Sequence, residues 1–234
     1  PLTSISSLVQ MLQRRDCDAY ARDKLGLVSG ELQRIQNILR ELVNFSRPTS
    51  TERARVAVRE VIDEAMNIAK YYKGARRRTI EVAVPDDLPC LSGARDPFVQ
   101  AVLNLVLNAV DATEKGGRIE VRARMEAHEV VISVRDDGHG IAPEASAKLF
   151  QPYFTTKKHG TGLGLFVTRK LAADHGGVVE FDSEPGAGTE FRLRLPVREL
   201  EAERNGTHEQ DASARPETRI VQLTARDGGS PHRR

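Results

Sequence analysis

Asn104-Leu105-Val106-Leu107-Asn108-Ala109-Val110-Asp111-Ala112 is the stretch from which the fold unfolds outward. Its apolar spacing predicts a helix over residues 97–113. Asn104 and Asn108 lie four apart and share one helical face, and Asp111 lies three further on, near that face. Leu103, Val106, Leu107 and Val110 supply the expected buried side. Two side-chain amides on an otherwise apolar helix cost desolvation unless they find partners. Taken alone, a pair of satisfied core asparagines and a ligand site explain them equally well.

The segments around this helix alternate in period. A helix is predicted over 59–72 and a strand over 79–84. Strands follow at 118–126 and 129–136, then a long glycine-containing loop, a helix at 162–175, and strands at 177–183 and 188–195. The two adjacent strand pairs predict hairpins, hence a mixed sheet with helices on one face.

Three more motifs follow in order. Val134-Arg135-Asp136-Asp137-Gly138-His139-Gly140-Ile141 closes an alternating strand. A carboxylate there can accept a hydrogen bond from an adenine amino group, and the glycines let backbone approach the base. By itself an ordinary Asp-Gly turn is the better explanation. Phe150-Gln151-Pro152-Tyr153-Phe154-Thr155-Thr156-Lys157 puts three aromatics into five residues of a chain that is only 5% aromatic. Such a loop anchors a mobile segment, and Lys157 could reach a phosphate as a point charge. The plainer alternative is an exposed loop with a hydrophobic foot. Gly160-Thr161-Gly162-Leu163-Gly164-Leu165 leads into a helix, where free backbone N–H groups can bind phosphate oxygens. Its spacing is neither the dinucleotide fingerprint nor a Walker P-loop.

The rest of the chain is simpler. Residues 1–48 read as a helical hairpin, with Arg14-Arg15-Asp16-Cys17-Asp18 as the break and Pro48 as the stop. Leu25, Val28, Leu32, Ile35, Leu39 and Leu42 repeat every three or four residues, a coiled-coil seam. Leu27, Ile38, Val43 and Phe45 widen that face. A wide face suits a hairpin that pairs with a second copy as a four-helix bundle, so a homodimer through residues 2–45 is expected. Residues 49–55 form a polar linker, 56–198 the mixed domain, and 199–234 a polar tail expected to be disordered. Within that tail Ile220-Val221-Gln222-Leu223 is one short apolar stretch, of a kind that usually means nothing.

Composition narrows the class. The net charge of +2 is spread along the chain, so nucleic acid is not an expected partner. The densest basic cluster, Arg76-Arg77-Arg78, reads as a solvated turn before a strand. The two cysteines, Cys17 and Cys90, belong to no zinc or disulfide pattern. A reducing, cytoplasmic setting fits best. No apolar run reaches the ~18 residues of a membrane span, so direct membrane contact is not expected, although an anchor upstream stays open.

Each motif alone is weak, but the four in this order resemble the asparagine, first glycine, phenylalanine and second glycine boxes of sensor histidine kinases of two-component systems. The likeness runs from Val56 to Val197. It includes the closing Ser183-Glu184-Pro185-Gly186-Ala187-Gly188-Thr189-Glu190-Phe191. The hairpin is similar to that family's dimerisation and phosphotransfer domain. Asn108-Ala109-Val110-Asp111-Ala112 and Phe154-Thr155-Thr156-Lys157 look like the nitrogen-regulation branch.

The resemblance implies an α+β fold, a two-helix hairpin followed by a Bergerat-type α/β sandwich. It implies ATP or ADP with Mg²⁺ as ligands, and a response-regulator receiver domain as partner. Asn108 would coordinate Mg²⁺, with Asn104 close to the triphosphate and Asp111 beside them. Asp136 would bind the adenine amino group, supported by Thr189 through a water. Gly138, Gly140 and Ile141 would shape the base pocket. Residues 142–160 would form a lid anchored by Phe150 and Phe154, with Lys157 on phosphate. Gly160, Thr161, Gly162, Leu163, Gly164 and Leu165 would hold the phosphates at the helix start.

The family's first helix carries the pattern His-Glu-x-x-Asn/Thr-Pro-Leu, and Pro1-Leu2 looks like its end. The phosphoacceptor histidine is therefore expected five residues before Pro1, since the chain's six histidines all lie outside residues 1–46. The chain is expected to bind ATP yet not to phosphorylate itself. Two rival classes fit the residues less well. An ATPase of the gyrase, heat-shock or mismatch-repair type needs an acid to activate water, and Asn104 occupies that position. A non-catalytic dimerisation scaffold would carry a degraded nucleotide site, but all four boxes are present. Pyruvate-dehydrogenase-kinase-like and anti-sigma kinases fit the hairpin less well.

Overall fold

The structure, a computed structural model, describes residues 2–13, 18–46, 54–72, 74–157, 160–197 and 218–222. The chain divides into two compact units. One comprises residues 1–48 with 148–166, the other 49–147 with 167–234.

In the first unit, α1 (Leu2–Gln13) and α2 (Ala19–Ser46) form the expected helices. The Asp18 carboxylate accepts the backbone N–H of Ala21 at 2.6 Å, the capping that starts a helix and satisfies one of its orphan donors. Val9 and Leu32 are buried, whereas Leu8 and Leu27 are 58% and 59% exposed. Of the seam residues, the side chains of Leu39 and Leu42 lie outside what is described.

The second unit is a mixed sheet with helices against it. Its strands are β2 (Thr79–Ala83), β4 (Arg118–Glu126), β5 (Glu129–Asp136), β6 (Val178–Glu184), β7 (Gly188–Pro196) and β8 (Thr218–Gln222). Their order is β6-β7-β5-β4-β2-β8. The pairings are antiparallel apart from β2 with β4, which is parallel. Both predicted hairpins, β4–β5 and β6–β7, are present. Helix α4 (Arg95–Ala112) packs on β4, β5 and β7, and α3 (Val58–Ala69) packs on α4. The fully buried side of α4 is Val102, Leu105, Val106, Ala109 and Val110. Leu103 and Leu107, expected inside, are only half-buried.

The opposite face of the sheet explains an unbroken buried run. Val130 to Val134 in β5 are all buried, although alternate residues of a strand point to opposite faces. Val131 stands between Arg124 and Arg194, and Ser133 between Arg122 and Arg192. Long arginine stems cover such neighbours while keeping their heads in water. Those heads are tied across the face, Arg194 to Glu129 and Glu126 at 2.9 Å each, and Arg192 to Asp182 and Glu190. Partly exposed pairs of this kind add little stability individually. They mark this side as the solvated one, which leaves the helices to the other.

Three expectations need correction. Residues 54 and 55 of the supposed linker belong to β1 (Ala54–Val56), which pairs antiparallel with β3 (Leu91–Gly93). Three-residue strands are too short to show a period, and the long-range pairing that buries Val56 and Leu91 decides them. Arg78 is not a solvated charge. Its guanidinium donates to the carbonyls of Gly74 and Thr113, tying the turn before β2 to the end of α4. Finally, five residues of the tail expected to lack structure form β8, because the edge of β2 offers unpaired backbone groups to a β-prone segment. The remainder of the tail lies outside the described residues.

Candidate functional site

The first glycine motif is built from backbone packing. Strand β5 ends at Asp136, which is buried, and the chain turns at Gly138. The Asp136 carboxylate accepts the Gly138 N–H at 2.9 Å and also the backbone N–H of Thr189. A methyl group on Gly138 would strike the carbonyl of Ala112, the last residue of α4. The same carbonyl accepts the N–H of His139 at 3.2 Å. The asparagine helix and the Asp-Gly turn are thus joined main chain to main chain. Gly140 has φ +68°, and a Cβ there would collide with the Glu184 carbonyl oxygen.

Ser183 is the junction that sequence reasoning quoted but gave no role. Its hydroxyl accepts the Ile141 N–H at 2.8 Å and donates to the Gly188 carbonyl at 3.0 Å. It also meets the Thr189 hydroxyl at 2.9 Å. Thr189 was expected to support Asp136 through a water. Here its backbone N–H serves the carboxylate and its hydroxyl faces Ser183. The spacing of Ser183, Gly188 and Thr189 on a tight β6–β7 hairpin could have pointed to this cluster.

Burial is the main influence on Asp136 and pushes its carboxyl above the ordinary value. The two backbone N–H donors and nearby His139 oppose the shift, and Asp137 adds to it. So dry a place costs the carboxylate its hydration, which the two N–H donors replace only in part.

On α4, Asn104 and Asp111 face different partners. Asn104 donates its amide to the buried Thr168 hydroxyl at 3.3 Å, linking α4 to α6 (Gly164–Asp174). Asn108 is half-buried. Asp111, exposed, accepts the Tyr72 hydroxyl at 2.9 Å. The Tyr72 phenol is pushed up to about 12, first by burial, then by the charge of Asp111 and the hydrogen bond to it. Sequence reasoning missed Tyr72, since nothing in its local pattern connects it with a residue 39 positions away.

In the other unit the aromatic motif and the second glycine motif meet each other. Tyr153 adopts φ +66° and is exposed, while Phe150 and Phe154 are half-buried. Gly162, at φ +71°, lies so close to the main chain of Tyr153 and Phe154 that any side chain would clash with it. The Thr161 hydroxyl accepts the Leu163 N–H at 3.3 Å, and Thr155 accepts that of Lys157 at 3.1 Å. Leu163 is buried, Gly160, Gly164 and Leu165 are half-buried, and Lys157 is exposed. Residues Gly160 to Gly164 run straight into α6.

The chain is similar to several known proteins. Residues 93–199 match the family described as histidine kinase-, DNA gyrase B- and HSP90-like ATPase. The chain is 33% identical over 198 residues to the sensor histidine kinase ZraS of Escherichia coli (strain K12), covering 84% of this chain and 43% of that protein. It is 34% identical over 212 residues to the sensory histidine kinase/phosphatase NtrB of Azospirillum brasilense, covering 84% and 52%. Among solved structures, the catalytic domain of histidine kinase ThkA is 30% identical, with a TM-score of 0.56 over 62% of this chain and 96% of that one. Full-length ShkA in complex with AMPPNP is 26% identical, with a TM-score of 0.64 over 84% of this chain and 43% of that one. The chain belongs to the sensor histidine kinase family. It spans about half the length, or less, of ZraS and NtrB. Among the described residues no helix is long and apolar enough to cross a membrane.

Proposed function

We propose that this chain binds ATP with Mg²⁺ and presents the γ-phosphoryl group for transfer to a histidine, from which it passes to an aspartate of a response-regulator receiver domain. The observation that carries this is the buried Asp136 carboxylate, oriented by two backbone N–H donors beside glycines that no side chain could replace. Such a group accepts from the adenine amino group and rejects a base with a carbonyl in that place. Gly138, Gly140 and Ile141 shape the base pocket, with Thr189 and Ser183 holding its wall.

The nucleotide's phosphates fall to Asn104, Asn108, Lys157 and the Gly160–Leu165 loop, whose N–H groups precede a helix. Among the described residues no three His, Cys, Asp or Glu gather to hold a metal. Mg²⁺ would be held by the Asn108 amide oxygen together with phosphate oxygens and water. Bound there, the ion neutralises phosphate charge. Phe150 and Phe154 anchor a lid over residues 142–160. The hairpin pairs with a second copy through residues 2–45, which accounts for its exposed apolar side chains.

A hydrolytic ATPase is the weaker alternative. Asn104 spends its amide on Thr168, and an amide cannot deprotonate water. Residues 1–46 hold no histidine, so this chain alone should take up no acid-labile phosphate. Titration calorimetry with ATP tests the binding half. Mg²⁺ should tighten ATP binding to the wild type, and Asn108→Ala should abolish that gain. Equal Mg²⁺ dependence in both would remove Asn108 from the metal site, and rapid ADP production would favour the ATPase.

A further inference from the structure

β2 would be the bare edge of the sheet were it not for β8. The register is complete over five residues, Thr79 opposite Gln222, Ile80 opposite Val221, Glu81 opposite Ile220, Val82 opposite Arg219 and Ala83 opposite Thr218. An uncovered edge is a row of unpaired N–H and C=O groups that any extended chain can extend. Thr218-Arg219-Ile220-Val221 is the one β-prone stretch in a tail otherwise dominated by Glu, Arg, Gly, Ser and Pro.

The connection between the sheet and this strand is a tether of suitable length. β7 ends at Pro196, opposite Glu129, while β8 begins at Thr218, opposite Ala83. β7 runs parallel to β2, as the successive pairings require, so both points lie toward the same end of the sheet. Four inter-strand steps separate β7 from β8, about 19 Å at ~4.8 Å each. The twenty intervening residues, 198–217, could reach up to ~66 Å if fully extended, well beyond that gap. Five ladder residues alone only just offset the entropy of ordering them. β8 is therefore a marginal strand that can dock without being fixed.

We propose that the outer edge of β2 is a strand-docking site for an extended peptide, and that its occupant is the chain's own segment Thr218–Gln222, held reversibly in cis. It covers the edge against edge-to-edge association and leaves it available when the segment is drawn away. This is independent of nucleotide chemistry.

Backbone hydrogen exchange of residues 79–83 tests it in the full chain. The double variant Ile220→Pro with Val221→Pro removes the donor that faces β2, whichever of the two neighbours supplies it. The β2 amides that face β8 should exchange at least ~10-fold faster in this variant, with those of β4, β5 and α4 unchanged. A free peptide of residues 216–224 should restore slow exchange. Unchanged exchange in the variant, or a peptide without effect, overturns the proposal. Faster exchange throughout β4, β5 and α4 would also overturn it, since β8 would then be an integral strand. Protection regained merely by raising the variant's concentration would assign the edge to a second copy instead.

Discussion

The hairpin and the sandwich use the same residue types in opposite ways. In the sandwich, Ile80, Ile119, Ile132 and Leu193 are almost wholly enclosed, and Gly138, Gly140, Gly177 and Gly188 are packed against main chain. In the hairpin, Leu8, Met11 and Leu27 are each more than half exposed, and Gly26 and Gly30 have nothing near them. One unit completes its own core. The other carries an apolar surface that a single copy leaves open, as expected of a helix pair that associates. The difference separates residues fixed by folding from residues that we propose serve assembly.

The sharpest way to break this comparison is one substitution made in both regions. Gly140→Ala forces a side chain into a left-handed backbone and against the Glu184 carbonyl, and should cost about 3 kcal/mol or more in urea unfolding. Gly30→Ala lies in open space within α2, and should stabilise that helix by about 0.5–1 kcal/mol. Loss of stability in Gly30→Ala would mean that a partner helix already packs there.

Next in size is assembly. Sedimentation should find the wild type dimeric at micromolar concentration, and Leu8→Glu shifted to monomer with its sandwich still folded. A wild-type monomer at high micromolar concentration would contradict the assembly role.

Smaller effects probe the polar groups of the sandwich. Asp136 carries a carboxyl whose folded value is raised, chiefly by burial. The stability linked to it is complete at low pH and lost as pH rises through that raised value. Asp136→Asn, without ligand, should therefore melt slightly higher than wild type at pH 8, and the difference should shrink as the pH is lowered. An unchanged gap would show that the carboxylate is not desolvated. The least change is expected for Tyr72→Phe. It removes one partly exposed hydrogen bond to Asp111, about 0.5 kcal/mol. Because burial and Asp111 push the folded phenol up to about 12 from its ordinary 10.0, the wild type should lose stability between those pH values and the variant should not.

The pattern of success in reading the sequence follows the range of the interactions. α4 and the hairpins β4–β5 and β6–β7 carry their own period over many residues, so local spacing was enough. Asp136, Gly138 and Gly140 stood out only through the four motifs taken together, since their own stretch reads equally as an ordinary Asp-Gly turn. Ser183, Tyr72 and Arg78 did not, because each acts through a partner far along the chain: Ile141, Asp111 and Thr113 respectively. β1, β3 and β8 are short, and only the strand opposite each one gives it form.

The most direct test of the central claim compares ATP with inosine triphosphate, whose base has a carbonyl where adenine has its amino group, by calorimetry with Mg²⁺. Wild type should prefer ATP clearly. Asp136→Asn should lose about 1–3 kcal/mol of ATP binding and with it the preference. Equal affinity of the wild type for the two nucleotides, or an Asp136→Asn chain that still prefers ATP, would contradict the account.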